Sequence, residues 1–303
     1  MIHNVSPLAN DWRIHFRRLE GAYASSTMRS YRGDVEAFET WCRENKCEAF
    51  PASADTVCRF LQDQGAIKAP STVRRRLYAI RKVHRLLQLK DPTYDEEINL
   101  ALRRVRRAKP GRPKQAKGMT RAYLDRFLAG QPDTPLGLRN RAMLSLGYEL
   151  LTRRSELVAI RVCDLEERED GTLRILIRRA KNDPFGEGRI AFTSARTASL
   201  VAGWLAWRGP GIAPLFCPIY HCQPINRVLS PDTVKRLVKE GAKLVDLDPV
   251  EAREFSGHSM RVGAAQDLLR QGFDTAAIMR AGGWTSINVV SRYLAHAEHN
   301  VWE

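Results

Sequence analysis

Along the first hundred positions, apolar residues recur at the three- and four-residue intervals of amphipathic helices. Ser25-Ser26-Thr27 supplies a helix-start signal, and Tyr31, Val35, Phe38 and Trp41–Cys42 follow at helical spacing. Pro51 and Ser53 restart the chain, and Val57, Phe60 and Leu61 mark a short second helix. Pro70-Ser71-Thr72 begins a third that runs to about Leu89. At ~100° per residue its Val73, Leu77, Ile80, Val83 and Leu87 share one face. Residues 121–165 read as helix again, with Met143, Leu146, Leu150 and Leu151 as core. Between 172 and 192 the period changes to two. Leu173, Ile175 and Ile177 alternate with polar residues, a turn spans Asn182 to Gly188, and Ile190 and Phe192 begin a return strand. Helices dominate from Ser230 onward, and Trp204, Trp207 and Phe255 read as core. The pattern predicts a mainly α protein with a small β-sheet.

Charge adds a partner to this outline. The 303 residues hold 49 Lys and Arg against 34 Asp and Glu, a net charge of +15. Residues 1–120 contain 24 basic and 13 acidic side chains, so most of the excess lies in the N-terminal part. On the third helix, Arg74, Arg75, Arg81, Lys82 and Arg85 occupy an arc of about 120° opposite the core stripe, with Tyr78 among them. No acid lies between Val73 and Lys90 on that helix, whereas a solvated face usually mixes signs. Arg76 falls off the arc. Arg29, the cluster Arg103, Arg104, Arg106 and Arg107, and Lys235, Arg236 and Lys239 beyond Pro231 extend the basic set. Pro110 to Gly118 lacks large apolar residues and carries Arg112 and Lys114, which reads as a basic linker able to touch phosphates or enter a minor groove. The expected layout is a helical DNA-binding domain over 1–108, a linker over 109–118, and an α+β domain over 119–303. The expected partner is double-stranded DNA.

Several chemistries are excluded. No apolar run approaches the ~18–20 residues of a membrane span, and the N-terminus lacks the layout of a secretory signal, so a cytoplasmic, DNA-associated location is expected. Six cysteines have no histidine pair to complete a zinc pattern. There is no phosphate-binding glycine loop and no paired-carboxylate cluster for a magnesium nuclease. What the second domain has is cations near element ends. Arg153 and Glu156 stand three apart, as do His258 and Arg261, spacings that a helical turn brings together. Each pair alone is an ordinary structural motif. Gly282-Gly283-Trp284-Thr285 and Tyr293 follow.

In this order the pieces mean more. Ser256-Gly257-His258-Ser259-Met260-Arg261-Val262-Gly263, then Ile278 to Thr285, then Asn288 to Tyr293, closely resemble the end of the tyrosine recombinase (phage integrase) family. The spacings from His258 to Trp284 to Tyr293 match without insertion. The resemblance is dense over about 253–295, clear around 150–165 and weaker over 25–110. It implies an N-terminal helical core-binding domain, a C-terminal catalytic domain, and site-specific recombination with neither metal nor cofactor. Position by position, it makes Arg153 and Arg261 the catalytic arginines, Glu156 the acidic companion of Arg153 and His258 the histidine of the second box. Trp284 stands where many members carry histidine, and Tyr293 becomes the nucleophile. Lys181, on the predicted hairpin, becomes the catalytic lysine. Arg154 competes with Arg153, and Arg178 and Arg179 with Lys181. The expected reaction is attack of Tyr293 on a DNA phosphodiester through a 3′-phosphotyrosyl link and a Holliday junction. Dimers would occupy inverted half-sites and tetramers the synapse. A type IB topoisomerase, a telomere resolvase, or a regulator that only binds DNA are the alternatives. Ten residues follow Tyr293, with Val301 and Trp302 as an apolar pair for docking.

Overall fold

Among the described residues, the three- to four-residue period of the N-terminal sequence becomes five α-helices. The computed structural model describes residues 11–110, 115–178, 188–295 and 297, and the chain divides into two units, Met1–Pro113 and Lys114–Glu303. In the first unit, α1 (Trp12–Phe16) is capped by Asp11, which accepts the Arg13 N–H. α2 (Ser25–Glu44), α3 (Ala54–Ile67), α4 (Pro70–Leu86) and α5 (Glu96–Ala108) follow. Ser53 Oγ caps α3 by accepting the Thr56 N–H at 3.1 Å, and Pro70 opens α4 where its missing N–H costs nothing. Phe60 packs edge-on against Phe38 and Trp41, with centroids 4.9 and 5.5 Å apart. Val73, Leu77, Ile80 and Val83 are buried as their common face requires. α4 ends at Leu86, short of the predicted Leu89, because Gln88 takes a left-handed backbone (φ 57°). Leu87 is consequently only half-buried.

The pattern had not distinguished α1 or α5 as separate helices. In α5, Ile98, Ala101 and Val105 face the core while Arg103, Arg104, Arg106 and Arg107 are exposed. A Cβ on Gly65 would lie 2.6 Å from a Val105 methyl, so the glycine is what lets α3 and α5 approach.

The second unit opens with α6 (Arg121–Ala129), α7 (Pro135–Glu149) and α8 (Arg154–Ala159). An antiparallel sheet follows in the order β1 (Leu165–Glu167), β2 (Leu173–Ile177), β3 (Arg189–Phe192). α9 (Ala195–Arg208), a short hairpin of β4 (Ile219–Tyr220) and β5 (Gln223–Pro224), and α10 (Pro231–Leu244) come next. α11 (Pro249–Glu254), α12 (Ser259–Arg270), α13 (Thr275–Gly282) and α14 (Ile287–Leu294) complete it. The architecture is the mainly helical one with a small sheet that the sequence predicts. α7 is buried along most of its length, with Met143 and Leu146 inside and Leu150 and Leu151 just beyond its end. Trp204 is fully buried and donates to the Leu215 carbonyl at 2.8 Å. A Cβ on Gly263 would lie 1.9 Å from the Met119 carbonyl oxygen, so α12 sits directly on the incoming chain. Among the described residues no helix is long and apolar enough to cross a membrane.

Candidate active site

Four local structures place the predicted residues. Where α7 ends, Leu151 adopts a left-handed backbone (φ 47°) and turns the chain so that Arg153 caps α8. Glu156, buried in the first turn of α8, uses both oxygens on Arg153. Oε2 accepts its backbone N–H at 3.0 Å and Oε1 its Nη1 at 2.6 Å. His258 precedes α12, and Arg261 lies one turn in, so both reach the same space. Ser256 and Ser259 tie the approach, the Ser256 N–H donating to Ser259 Oγ and the His258 N–H to Ser256 Oγ. Between α13 and α14, Gly283 takes a left-handed backbone (φ 65°), and a Cβ on Gly282 would collide with the Trp284 ring at 1.9 Å. The two glycines thus seat the indole. α14 then carries Tyr293, whose carbonyl accepts from Gln266 on α12 at 3.4 Å.

These pieces converge. His258 Nε2 lies 2.6 Å from the Tyr293 hydroxyl. The Trp284 and Tyr293 rings meet edge-to-face at 5.0 Å. The Arg261 guanidinium, fully buried, stacks 3.9 Å from the Trp284 ring centroid and 5.9 Å from that of Tyr293. Its Nη1 donates to the Leu151 carbonyl. Its Nε and Nη2, and Trp284 Nε1, are buried without a partner among the described residues. Buried donors are normally satisfied, so such a set marks a place where a ligand supplies the acceptor. Burial pushes the Arg261 guanidinium down to about 10, and the neighbouring Arg153 adds to this. Burial, together with Arg261 and Arg153, pushes the His258 imidazole down to about 4, so it is neutral near pH 7. The site is cationic and largely desolvated, with the Glu156 carboxylate paired to Arg153.

The rival arginines separate by partner. Arg154 is exposed and pairs with Asp232 at 2.6 Å, pointing to α10. Arg178 is held by the buried carboxylate of Asp164 at 2.5 Å. Lys181, Arg179, Arg112 and Lys114 lie outside the described residues. Arg189, at the start of β3, was missed by the sequence reading. It donates to the carbonyls of Leu150 and Ala281 at the edge of this cluster.

The basic candidates divide into two groups. Arg29, Arg74, Arg103, Arg104, Arg106, Arg107, Lys235 and Arg236 are exposed. Others, of which Arg75 and Arg85 are also exposed, have internal partners that the helix sequence alone does not display. Arg75 forms a two-point pair with buried Asp34 of α2, at 2.7 and 3.0 Å. Arg81 donates to Thr93 Oγ1 at 2.7 Å and stacks on Tyr94. Arg85 lies 3.4 Å from Asp91, and Lys82 donates to the Tyr23 hydroxyl at 2.7 Å. Lys239 donates to the Ala252 and Arg253 carbonyls at the end of α11. Arg76 acquires an account. It bonds Gln64 and approaches Asp34 at 3.6 Å, bracing α4 against α2 and α3.

Residues 117–300 match the phage integrase family, and residues 15–90 match its N-terminal SAM-like domain. The chain is 30% identical over 302 residues to the recombinase Cre of Escherichia phage P1, covering 91% of this chain and 86% of that protein. It is 32% identical over 290 residues to an integrase/recombinase XerD homolog of Selenomonas ruminantium, covering 92% and 84%. Among solved structures, the XerH site-specific recombinase bound to a palindromic difH substrate superposes with a TM-score of 0.70 at 17% identity. The match covers 89% of this chain and 76% of that one. The Tn1549 transposon integrase in complex with transposon right-end DNA gives 0.67 at 16% identity, covering 95% of each chain. Sequence and fold together define a tyrosine site-specific recombinase. The chain belongs to the phage integrase family.

Proposed function

We propose that the protein binds double-stranded DNA and recombines it at a specific site, with Tyr293 as nucleophile. The observation that carries this reading is the 2.6 Å contact of His258 Nε2 with the Tyr293 hydroxyl, beside three buried donors without acceptors among the described residues. A scissile phosphate supplies the missing acceptors. Its nonbridging oxygens take hydrogen bonds from Arg153, Arg261 Nε and Nη2, and Trp284 Nε1, and negative charge grows on those oxygens in the transition state. Glu156 fixes the Arg153 guanidinium. In the tautomer protonated at Nδ1, His258 Nε2 accepts the Tyr293 proton as the phenol oxygen bonds to phosphorus. A phosphate anion facing the same arginines offsets their effect on His258 and makes the ring more basic than in the free protein. The P–O5′ bond breaks, the 5′-oxygen takes a proton, and Lys181 is the candidate donor. Attack by a 5′-hydroxyl of another strand reverses the step. One phosphodiester is exchanged for another, so no ATP is consumed. Relatives named as DNA-bound recombinases support DNA as the substrate. Inverted half-sites, a dimer on each site, a tetrameric synapse and a Holliday junction complete the reading, with the N-terminal unit as core-binding domain and residues 109–118 as tether.

The test uses a nicked duplex built on the sequence that the parent protein selects from a randomised duplex pool. The nick lets the leaving strand diffuse away, so a covalent adduct accumulates on a denaturing gel. The parent protein forms the adduct and Tyr293→Phe does not. An adduct that survives Tyr293→Phe overturns the assignment. Relaxation of any supercoiled plasmid, independent of sequence, replaces recombination by topoisomerase activity.

A further inference from the structure

Arg189 sits where one guanidinium touches two separate corners of the chain. Its Nη1 donates to the Ala281 carbonyl at 2.8 Å, and its Nη2 donates to the Leu150 carbonyl. The first carbonyl belongs to the last turn of α13 and the second follows the last residue of α7. Both are helix C-termini, where the summed peptide dipoles place partial negative charge. Those dipoles offset the cost of the half-buried cation, whose guanidinium desolvation pushes down to about 10.

Each corner carries part of the candidate anion site. One residue beyond Leu150, the Leu151 carbonyl accepts from Arg261, and two residues further on comes Arg153. One residue beyond Ala281 begins Gly282-Gly283-Trp284. A Cβ on Gly283 would lie 2.8 Å from Arg189 Cδ and 3.1 Å from its Nε, so the arginine stem packs on bare glycine backbone. A guanidinium is a rigid planar fork, and two of its nitrogens hold two acceptors at a fixed separation.

We propose that Arg189 is a positioning residue for strand cleavage, a cross-brace that sets the Arg153 corner against the Trp284 corner so that one phosphate meets both. The proposal rests on the recombinase reading above. Arg189 acts through the residues at both corners, without contacting the reacting atoms. A displacement of about 1 Å between groups that must grip one phosphate lowers the rate by roughly 100-fold. It leaves the surface that binds duplex backbone unchanged.

The experiment compares the parent protein with Arg189→Met and Arg189→Lys on the selected nicked duplex. Affinity is read by fluorescence anisotropy, and adduct formation in single turnover at saturating DNA. Arg189→Met is expected to bind within about threefold of the parent and to cleave roughly 10–100-fold more slowly. Arg189→Lys keeps the charge but loses the fork, and is expected to fall between the two. A second duplex carries a methylphosphonate at the scissile position, which has no anionic oxygen pair to grip. On it the gap between parent and Arg189→Met is expected to close to about threefold. Parent-like cleavage by either variant on the phosphate duplex overturns the proposal. So does a gap of the same size on both duplexes, which is the behaviour of a generally weakened fold. If Arg189→Met does not fold, Arg189→Lys decides by the same ratio. A parent protein that forms no adduct sinks the recombinase reading itself, whereas a cleaving parent with equally fast variants sinks only the role of Arg189.

Discussion

Glu156 commits both carboxylate oxygens to Arg153, one to its backbone and one to Nη1. In the proposed reaction the remaining guanidinium N–H groups meet the phosphate. A lysine at 153 has one compact ammonium, which Glu156 would occupy. Arg153→Lys is therefore expected to bind duplex DNA within a few-fold of the parent but to form the Tyr293 adduct roughly 100-fold more slowly or worse. Single-turnover cleavage measures this, and a loss below about fivefold would count against the clamp. At this scale the sequence was informative for reasons of order. Arg153, Glu156, His258, Arg261, Trp284 and Tyr293 belong to short motifs whose spacing fixes one helical turn or one corner, and the structure brings them into one cluster. Arg189 belongs to no motif. Its partners are backbone carbonyls, which carry no side-chain signature, so nothing local marked it.

At the scale of elements, period and parity decide what can be read. Strand β2 alternates as its sequence demands, with Leu173, Ile175 and Ile177 all inside. Strand β3 has the same period, but its small residue is the inward one. Ala191 opposes Ile175 and is buried, while Ile190 and Phe192 are exposed. Once that parity is known, Arg189, two residues from Ala191, must also face inward, which is how a charged residue enters the site. The face opposite the core on α4 shows a similar limit. Its sequence contains no acid, yet Asp34 and Asp91 reach it from other elements. α4 also carries His84, fully buried, with Nδ1 bonded to the Ile80 carbonyl at 2.9 Å and Nε2 accepting the Ala52 N–H at 3.0 Å. This arrangement needs a neutral ring. Burial lowers the His84 pKa, against the opposing pull of the Ile80 carbonyl and Asp91. The unfolded chain therefore takes up the proton first. Stability is intact above the unfolded value of about 6.5 and falls as pH drops from there towards the folded value, by at most about 1.4 kcal/mol per unit. His258 shifts the same way, so the contribution of His84 is read as a difference. Urea midpoints of the full chain at pH 7.5 and 5.5 should separate more for the parent than for His84→Phe. Equal separations would show that His84 does not titrate on unfolding.

For the whole molecule, a formal charge of +15 says only that a polyanion is attracted. The structure sorts that charge by use. Arg75, Arg76, Arg81 and Arg85 face acids or hydroxyls within the first unit, and Lys239 caps α11. Arg103, Arg104, Arg106 and Arg107 stand along one exposed side of α5. The nearest acid to this group in an ion pair is Glu97, 3.9 Å from Arg104 with both side chains open to solvent, a pairing worth little. Binding to duplex phosphates releases condensed counterions, so log affinity falls linearly with log salt at about −0.9 per phosphate neutralised. Cations already paired with acids of the fold, exposed or not, contribute less to that slope, and unpaired exposed ones contribute in proportion. Replacing Arg103, Arg104, Arg106 and Arg107 together by Gln is expected to flatten the slope by roughly three units on any duplex, because phosphate contacts carry no sequence. Arg75→Gln is expected to leave the slope within about half a unit of the parent and to lower the unfolding midpoint instead, since it removes the two-point partner of buried Asp34 and leaves it only the longer contact with Arg76. Anisotropy titrations of a non-specific duplex across a sodium chloride series measure both. A slope flattened by about 0.9 in Arg75→Gln, the full share of one neutralised phosphate, would mean that the Arg75–Asp34 pair opens on binding and that the α4 face reaches DNA after all.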